Sequence, residues 1–167
     1  MDITLADRVQ RVKPSPTLAV TARAAELRAA GKDIIGLGAG EPDFDTPEHI
    51  KQAAIQAIQQ GKTKYTPVDG TPDLKKAVQA KFRNENGLDY ELKQILVSAG
   101  AKHSIYNLMC ALLNAGDEVV IPAPYWVSYP DMAKLADGVP VIVEAGQEQH
   151  FKITPEQLDA AMTGRTK

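Results

Sequence analysis

The sequence predicts an α/β fold in which helices flank a mainly parallel β-sheet. Short runs of aliphatic residues alternate with longer amphipathic segments along the 167-residue chain, and this is the pattern of βαβ units. Proline and glycine stand between the runs, as expected where strands and helices meet. The chain is 44% hydrophobic and 24% charged, so it has the composition of a folded protein rather than a disordered one.

Three helices are predicted in the first half of the chain. Residues 17–30 are rich in Ala, Leu and Arg and are followed by glycine, which commonly ends a helix. The next two helices begin with Thr-Pro-acid sequences at 46–48 and 71–73. There the threonine hydroxyl is expected to cap the helix, and the acid lies near its positive end. They are predicted to stop at Gly61 and near Gly87.

The remaining elements follow from apolar periodicity. Apolar residues at 105, 108, 109 and 112 predict the inner face of an amphipathic helix. Residues 13–16, which contain two prolines, are predicted to be non-helical and to belong to an N-terminal arm. The other predicted elements are strands over 34–37, 95–98, 119–121 and 139–143, a helix over 126–135, and a helix that begins with a capping box at 154–157.

Charge, cysteine content and hydropathy exclude several classes of function. Lys and Arg total 19 against 21 Asp and Glu, a net charge of −2, so no basic surface is available for nucleic acid or anionic lipid. Cys110 is the only cysteine, which excludes an intramolecular disulfide and a Cys-rich metal site. The N-terminus does not resemble a secretory signal, and no apolar run approaches the roughly 20 residues that span a bilayer. We expect a soluble cytoplasmic protein that binds neither nucleic acid nor membrane.

No metal site is predicted, and the histidines offer no acid–base pair. His49, His103 and His150 share no spacing, and His49 and His150 are expected to be solvated. Cys110 lies in a predicted helix among apolar residues and is expected to be a small packed side chain rather than a nucleophile.

A glycine-rich turn formed by Gly36, Gly38 and Gly40 is a first candidate binding site. Such a turn brings backbone N–H groups close to a phosphate or carboxylate, or simply reverses the chain. The nucleotide loop of a Rossmann-like methyltransferase requires a helix directly behind the last glycine. Residues 41–43 and Pro47 leave no room for one, so that interpretation is disfavoured.

Residues 98–102, Ser-Ala-Gly-Ala-Lys, lie between a predicted strand and a predicted helix. Unsatisfied N–H groups and the helix dipole favour a phosphate at such a place, and Lys102 adds charge. An ordinary turn with small residues for packing is the alternative, and spacing alone does not decide between them.

Trp126, the only tryptophan, follows a predicted strand. Open α/β sheets bind ligands at the carboxyl ends of their strands, where an indole can stack on a planar ring. The alternative is a partly buried core aromatic.

Four segments together carry a resemblance to a known family, and they lie at 13–17, 38–47, 61–65 and 124–130. In sequence and order they resemble the N-terminal part of the fold-type I pyridoxal-phosphate aminotransferases, and most closely the bacterial aspartate aminotransferases. The resemblance implies the N-terminal part of a PLP-dependent transferase fold, incomplete in this chain. It assigns 1–47 to an N-terminal arm and the first part of the small domain. It assigns 48–167 to the N-terminal half of the large cofactor-binding domain.

The resemblance also implies site residues and the cofactor pyridoxal 5′-phosphate. The backbone at Gly100, Ala101 and Lys102 would hold the cofactor phosphate, and Tyr65 would reach the phosphate of the other subunit of a homodimer. Trp126 would stack on the pyridine ring and contact substrate, and the loop at Gly40 would bind the substrate α-carboxylate. Many relatives have more glycine where this chain has Ala99 and Ala101. The bond Ala123–Pro124 is a candidate cis peptide.

The implied activity is transfer of an amino group from an L-amino acid, aspartate by preference, to 2-oxoglutarate by a ping-pong mechanism. In the family, the Schiff-base lysine, the acid at the pyridine nitrogen and the substrate arginine lie further along than residue 167. No catalytic residue is therefore assigned in this chain, and residues 1–167 alone are predicted to be inactive. A sheet edge and apolar helix faces are expected to be uncovered.

Two alternatives remain open at this stage. The chain could be a non-catalytic product that stands alone, pairs with another chain or binds anions. Within the enzyme class, aromatic, alanine or prephenate-type substrates are the alternatives to aspartate.

Overall fold

Two compact units make up the chain. The computed structural model describes residues 3–38 and 40–167, so Met1, Asp2 and Ala39, the last in the predicted glycine-rich turn, lie outside the described residues. Met1–Ala19 and Ala99–Lys167 form one unit, which we name the sheet unit, and Val20–Ser98 form the other, the helical unit. The predicted domain boundary after residue 47 stays a prediction.

Helices make up most of the regular structure. The helices are α1 (Asp7–Gln10), α2 (Pro16–Ala29), α3 (Glu48–Gln59), α4 (Pro72–Asn86), α5 (Ala101–Leu112), α6 (Ser128–Leu135) and α7 (Pro155–Ala161), with short 3-10 helices at Leu92–Gln94 and Gln147–Gln149. The strands are β1 (Glu118–Ala123) and β2 (Val139–Glu144).

A parallel β–α–β unit organises the sheet unit. β1 and β2 pair in parallel, in a register that runs from Glu118 opposite Val139 to Ala123 opposite Glu144. Parallel strands need a crossover connection, which α6 supplies, and Ala133 on α6 is fully buried. The buried apolar residues of this unit are Ile121, Ala123, Met132, Ala133, Ala136 and Ala145. The predicted α/β fold with a parallel sheet is confirmed.

The predicted helix starts are confirmed in part. Thr154 forms the predicted capping box, since its hydroxyl accepts from Gln157 N–H at 3.2 Å and the Gln157 side chain accepts from Thr154 N–H at 2.9 Å. The predicted cap by Thr46 is wrong, because α3 begins one residue later and Pro47 takes the N-cap position. Thr71 is the N-cap of α4, yet its hydroxyl makes no cap hydrogen bond. Proline, with its pre-set φ, follows it and favours the helix start.

Other predicted boundaries shift by a residue or two. The sequence predicts that Pro16 is non-helical, but it is the first residue of α2, a position where the missing N–H of proline matters little. The helix predicted from Trp126 begins at Ser128. The stops at Gly61 and Gly87 are confirmed, and both glycines have positive φ, 71° and 66°.

The strands predicted over 34–37 and 95–98 are wrong, since neither segment is a strand in the structure. A strand needs a ladder of hydrogen bonds to a neighbour. In place of a ladder, the Arg28 guanidinium donates to the carbonyl of Ile34 at 3.3 Å. Val97 N–H donates to the carbonyl of Asp69 at 3.0 Å. These apolar runs therefore have the composition of strands without the paired neighbours that make a strand.

An ion pair between a buried lysine and a half-exposed aspartate lies at the turn before α4 in the helical unit. The Lys75 ammonium is buried and pairs with the Asp69 carboxylate, and this hydrogen bond lowers the pKa of Asp69. Gly70 has φ +109°, and a Cβ there would lie 2.6 Å from Val97 Cγ2. Both the conformation and the lack of space therefore require glycine at this position.

Apolar side chains on α3 are exposed, as expected. The helix buries none of its residues, and Ile50, Ile55 and Ile58 are 49%, 44% and 67% exposed.

Among the described residues, no helix is both long enough and apolar enough to cross a bilayer.

Glu118, at the start of β1, attaches the last residues of the chain to the sheet. Its carboxylate is buried and accepts hydrogen bonds from Thr163 Oγ1 at 2.6 Å and from Arg165 Nη2 at 2.6 Å. Its backbone makes a parallel bridge with Thr166, and Lys167 N–H donates to its carbonyl at 3.0 Å. The hydrogen bond from Thr163, followed by that from Arg165, lowers the pKa of Glu118.

We expect this attachment to weaken in acid. Because the folded-state pKa is lowered, the stabilisation is complete above the ordinary glutamate pKa of about 4.3 and is lost as the pH falls through the lower folded-state value. Amide exchange should show protection of Lys167 N–H falling over that range. In Glu118→Gln the protection should be low at every pH, whereas Glu144→Gln on β2 should behave as wild type. Unchanged protection in Glu118→Gln would contradict the assignment.

Candidate functional site

The N-terminus of α5 is not capped by a side chain. Its N-cap is Gly100, with φ 90° and ψ 164°, and no side chain accepts from the first turn. The first N–H groups of any helix lack intrahelical acceptors, and here they begin at Ala101. The dipole of the helix adds positive potential at this end. The geometry therefore suits an anion.

Gly100 is required by conformation rather than by space. A Cβ at this position would meet no atom within 4 Å, but φ +90° with extended ψ is a region that essentially only glycine adopts. Ala101 is the first residue of α5, so its methyl group is compatible with the turn.

His103, in the first turn of α5, makes a hydrogen bond with the backbone just before the helix. Ala99 N–H donates to its Nδ1 at 3.1 Å, so Nδ1 acts as an acceptor. This contact was not predicted from the sequence. A histidine four residues after a small residue is a weak signal, and it becomes informative only once the helix start is known.

Trp126 lies beyond the carboxyl end of β1, after the cis peptide bond Ala123–Pro124. The predicted cis bond is confirmed. The indole is 49% exposed, so about half of its surface is open to a second ring. The Lys102 ammonium lies 5.4 Å from the centroid of a Trp126 ring, within the range of a cation–π contact.

Two cavities meet at this pair. One, of about 410 Å³, is lined by Ala99, Gly100, Ala101, Lys102, Ile105, Trp126 and Tyr129. The other, of about 630 Å³, shares Lys102 and Trp126 and continues along the N-terminal arm past Lys13 and Ser15. Four of the predicted site residues (Gly100, Ala101, Lys102 and Trp126) are therefore brought to one cavity.

Tyr106 lines the larger cavity, and the pKa of its hydroxyl is raised. A hydrogen bond with Cys110, one helical turn away, raises its pKa. The shift favours the neutral phenol over the phenolate.

The two other predicted site residues lie in the helical unit. Tyr65 follows α3 in an irregular segment and is fully exposed. Gly40 is exposed in the loop before α3, and a Cβ there would meet no atom within 4 Å. Their proposed contacts stay predictions.

The chain matches the family described as aminotransferase class I and II over residues 32–167. It belongs to that family. The aspartate/prephenate aminotransferase of Cereibacter sphaeroides is 63% identical over 163 residues, which are 98% of this chain and 41% of the relative. The aspartate aminotransferase of Geobacillus stearothermophilus is 60% identical, with 98% of this chain and 42% of the relative covered.

Solved structures of this aminotransferase family have the same fold. The aspartate aminotransferase of Rhizobium meliloti superposes with a TM-score of 0.94 and 52% identity, covering 99% of this chain and 41% of that chain. The Thermus thermophilus enzyme with maleate gives a TM-score of 0.95 and 51% identity, covering 99% of this chain and 44% of that chain. The chain thus spans about two fifths of the length of the relatives it matches.

Replacing Gly100 by alanine should separate conformation from anion binding. We expect Gly100→Ala to lower the free energy of unfolding by about 1–3 kcal/mol, because alanine is strained at this φ and ψ. It should also abolish any rise in melting temperature that inorganic phosphate produces. Gly116→Ala is the matched control, since Gly116 also has φ +90° and open space around its Cβ position. The control should lose similar stability but keep its response to phosphate, and an equal phosphate response in both variants would contradict the site.

Proposed function

We propose that this chain carries the phosphate-binding and ring-stacking part of a pyridoxal-phosphate-dependent aminotransferase. The single observation that supports this most directly is the uncapped N-terminus of α5 beside Trp126 at one cavity. The cavity combines donors for an anion with a flat aromatic surface. Membership in the aminotransferase family supports the same conclusion.

The residues at this cavity fit pyridoxal 5′-phosphate. A phosphate group accepts several hydrogen bonds, and an uncapped helix N-terminus offers backbone donors together with a favourable dipole. The indole of Trp126 is exposed enough for a second ring to pack on it. The cavity of about 410 Å³ lies within the roughly 300–1,000 Å³ usual for small-molecule sites.

The residues of this chain would bind the cofactor and orient its ring. Backbone N–H groups from Ala101 onward would hold the phosphate, the Lys102 ammonium would add positive charge, and Trp126 would fix the plane of the pyridine ring. When bound, the cofactor supplies an electron sink for chemistry at the substrate Cα. No described residue is assigned a proton-transfer step.

The finer parts of the proposal concern substrate and assembly. The proposed reaction is transfer of the amino group of L-aspartate to 2-oxoglutarate by a ping-pong mechanism, in a cytoplasmic homodimer. Gly40 would contact the substrate α-carboxylate, and Tyr65 would reach the cofactor phosphate of the partner. The full exposure of Tyr65 leaves its hydroxyl available for such a contact.

Prephenate is the second candidate amino acceptor. The Cereibacter sphaeroides relative is named for aspartate and prephenate, whereas the Geobacillus stearothermophilus relative is named for aspartate alone. Both relatives cover 98% of this chain. Because aspartate occurs in both names, the names favour aspartate as the common substrate. Steady-state rates of a protein that joins this chain to the remaining length of its relatives, with aspartate as donor and 2-oxoglutarate or prephenate as acceptor, distinguish the two.

Cofactor binding can be tested with ligands that do not react with lysine. We expect pyridoxine 5′-phosphate to quench Trp126 fluorescence and to bind at least about tenfold more tightly than pyridoxine. The reason is that the phosphate gains charge-assisted hydrogen bonds at α5. Trp126 is the only tryptophan, so the signal has one source. Inorganic phosphate should compete with the phosphate ester. Equal affinity for pyridoxine and its phosphate would contradict the proposal.

Activity gives a second test. Residues 1–167 alone should show no turnover of aspartate and 2-oxoglutarate, because the resemblance to the aminotransferases places the Schiff-base lysine further along than residue 167. A protein that joins this chain to the remaining length of its relatives should be active. Turnover by residues 1–167 would refute the assignment of the catalytic lysine outside this chain.

A further inference from the structure

Asp137 ends helix α6 in an unusual conformation. It has φ 62°, the left-handed region in which a Cβ is unfavourable and which glycine usually occupies after a helix. Gly138 N–H donates to the carbonyl of Ala133 at 2.8 Å, the longer hydrogen bond of a common helix-ending motif. Glycine at 137 would therefore satisfy the backbone with less strain than aspartate. Aspartate at this position suggests a separate role for the side chain.

The Asp137 carboxylate binds the N-terminal arm. Arg11 Nη2 donates to Asp137 Oδ1 at 2.7 Å, across 126 positions of sequence. Arg11 Nη1 also donates to the carbonyl of Lys134 at 3.5 Å. Lys134 lies in the last turn of α6, where the helix dipole favours a cation. The Arg11 guanidinium thus donates hydrogen bonds both to the Asp137 carboxylate and to a carbonyl in the last turn of α6.

The N-terminal arm, here residues 7–15, is held by few buried contacts of its own. Helix α1 has four residues and buries none of them. Directly after Arg11, Val12, Lys13 and Ser15 line the cavity of about 630 Å³, which Trp126 also lines. The position of Arg11 therefore sets one wall of this cavity.

We propose that Arg11 and Asp137 form a latch that positions the N-terminal arm as a wall of the cavity beside Trp126. Asp137 keeps a strained backbone position because its carboxylate holds the arm. Arg11 and Asp137 are positioning residues in this proposal, since neither lines the cavity. The latch requires neither cofactor nor substrate, so it stands independently of the proposed function.

Two variants of the intact chain test the latch, with readouts at the arm and at the cavity. Arg11→Gln removes the donor, and Asp137→Gly removes the carboxylate while relieving the backbone. Both should increase amide exchange of residues 7–12 by about two- to fivefold, the range expected for an exposed ion pair. Both should also raise the rate of acrylamide quenching of Trp126. Asp137→Asn, which tolerates the left-handed conformation and keeps an oxygen acceptor, should give intermediate values.

Arg8→Gln is the matched control. Arg8 lies in the same short helix, and no ion pair within 4 Å is found for it among the residues at 3–38 and 40–167. It removes the same charge and should leave exchange and quenching at wild-type values. The melting temperature of Asp137→Gly should stay the same or rise, because the strain at residue 137 is gone.

Each outcome decides the matter. Increased exchange and quenching in Arg11→Gln and Asp137→Gly, but not in Arg8→Gln, supports the latch. If Asp137 serves only to end α6, Asp137→Gly will leave both readouts unchanged, and the proposal is overturned. Equal effects of Arg8→Gln and Arg11→Gln would also overturn it, because general charge rather than a specific pair would then hold the arm. If one variant fails to fold, Asp137→Asn decides instead, since exchange and quenching above the wild-type values support the latch and wild-type values overturn it.

Discussion

The parallel ladder between β1 and β2 is the constraint on which the sheet unit depends. Because parallel strands cannot be joined by a tight turn, α6 has to cross from one to the other, and it packs close to the sheet through the fully buried Ala133. The same ladder places the carboxyl end of β1 at the edge of the sheet where ligands are bound in open α/β folds. Trp126 follows that end. The location of the cavity is thus a consequence of strand direction.

The chemistry of the cavity comes from what the backbone leaves unsatisfied. Gly100 has no side chain to cap α5, and the nearby His103 ring accepts from Ala99 N–H rather than from the N–H groups of the first turn. The first residues of that turn, Ala101 and Lys102, line the same cavity as the exposed indole. An anion joined to a planar ring matches this combination of groups, and neither part alone would identify the ligand.

Helix starts and stops that depend on a few neighbouring residues could be predicted from the sequence. Strands, which depend on a distant pairing partner, were predicted less well. Thr154 caps its helix as predicted because the capping box involves residues three apart, and Gly61 ends α3 because a positive φ is a property of one residue. The run at 95–98 has the composition of a strand, yet Val97 bonds to Asp69 in a loop. Pairing partners decide whether an apolar run becomes a strand, and these are not encoded within the run.

The sequence by itself determined the helix stops at Gly61 and Gly87, the parallel α/β class and the family motifs. It also nominated four of the residues that line the smaller cavity, Gly100, Ala101, Lys102 and Trp126. All of these follow from short patterns or from an ordered set of motifs. Only the tertiary structure decided that Lys102 lies over Trp126, that Glu118 is buried against Arg165, and that Asp137 holds Arg11. The physical reason is distance along the chain: these partners meet only after the sheet and its helices have packed, and no local propensity specifies such contacts.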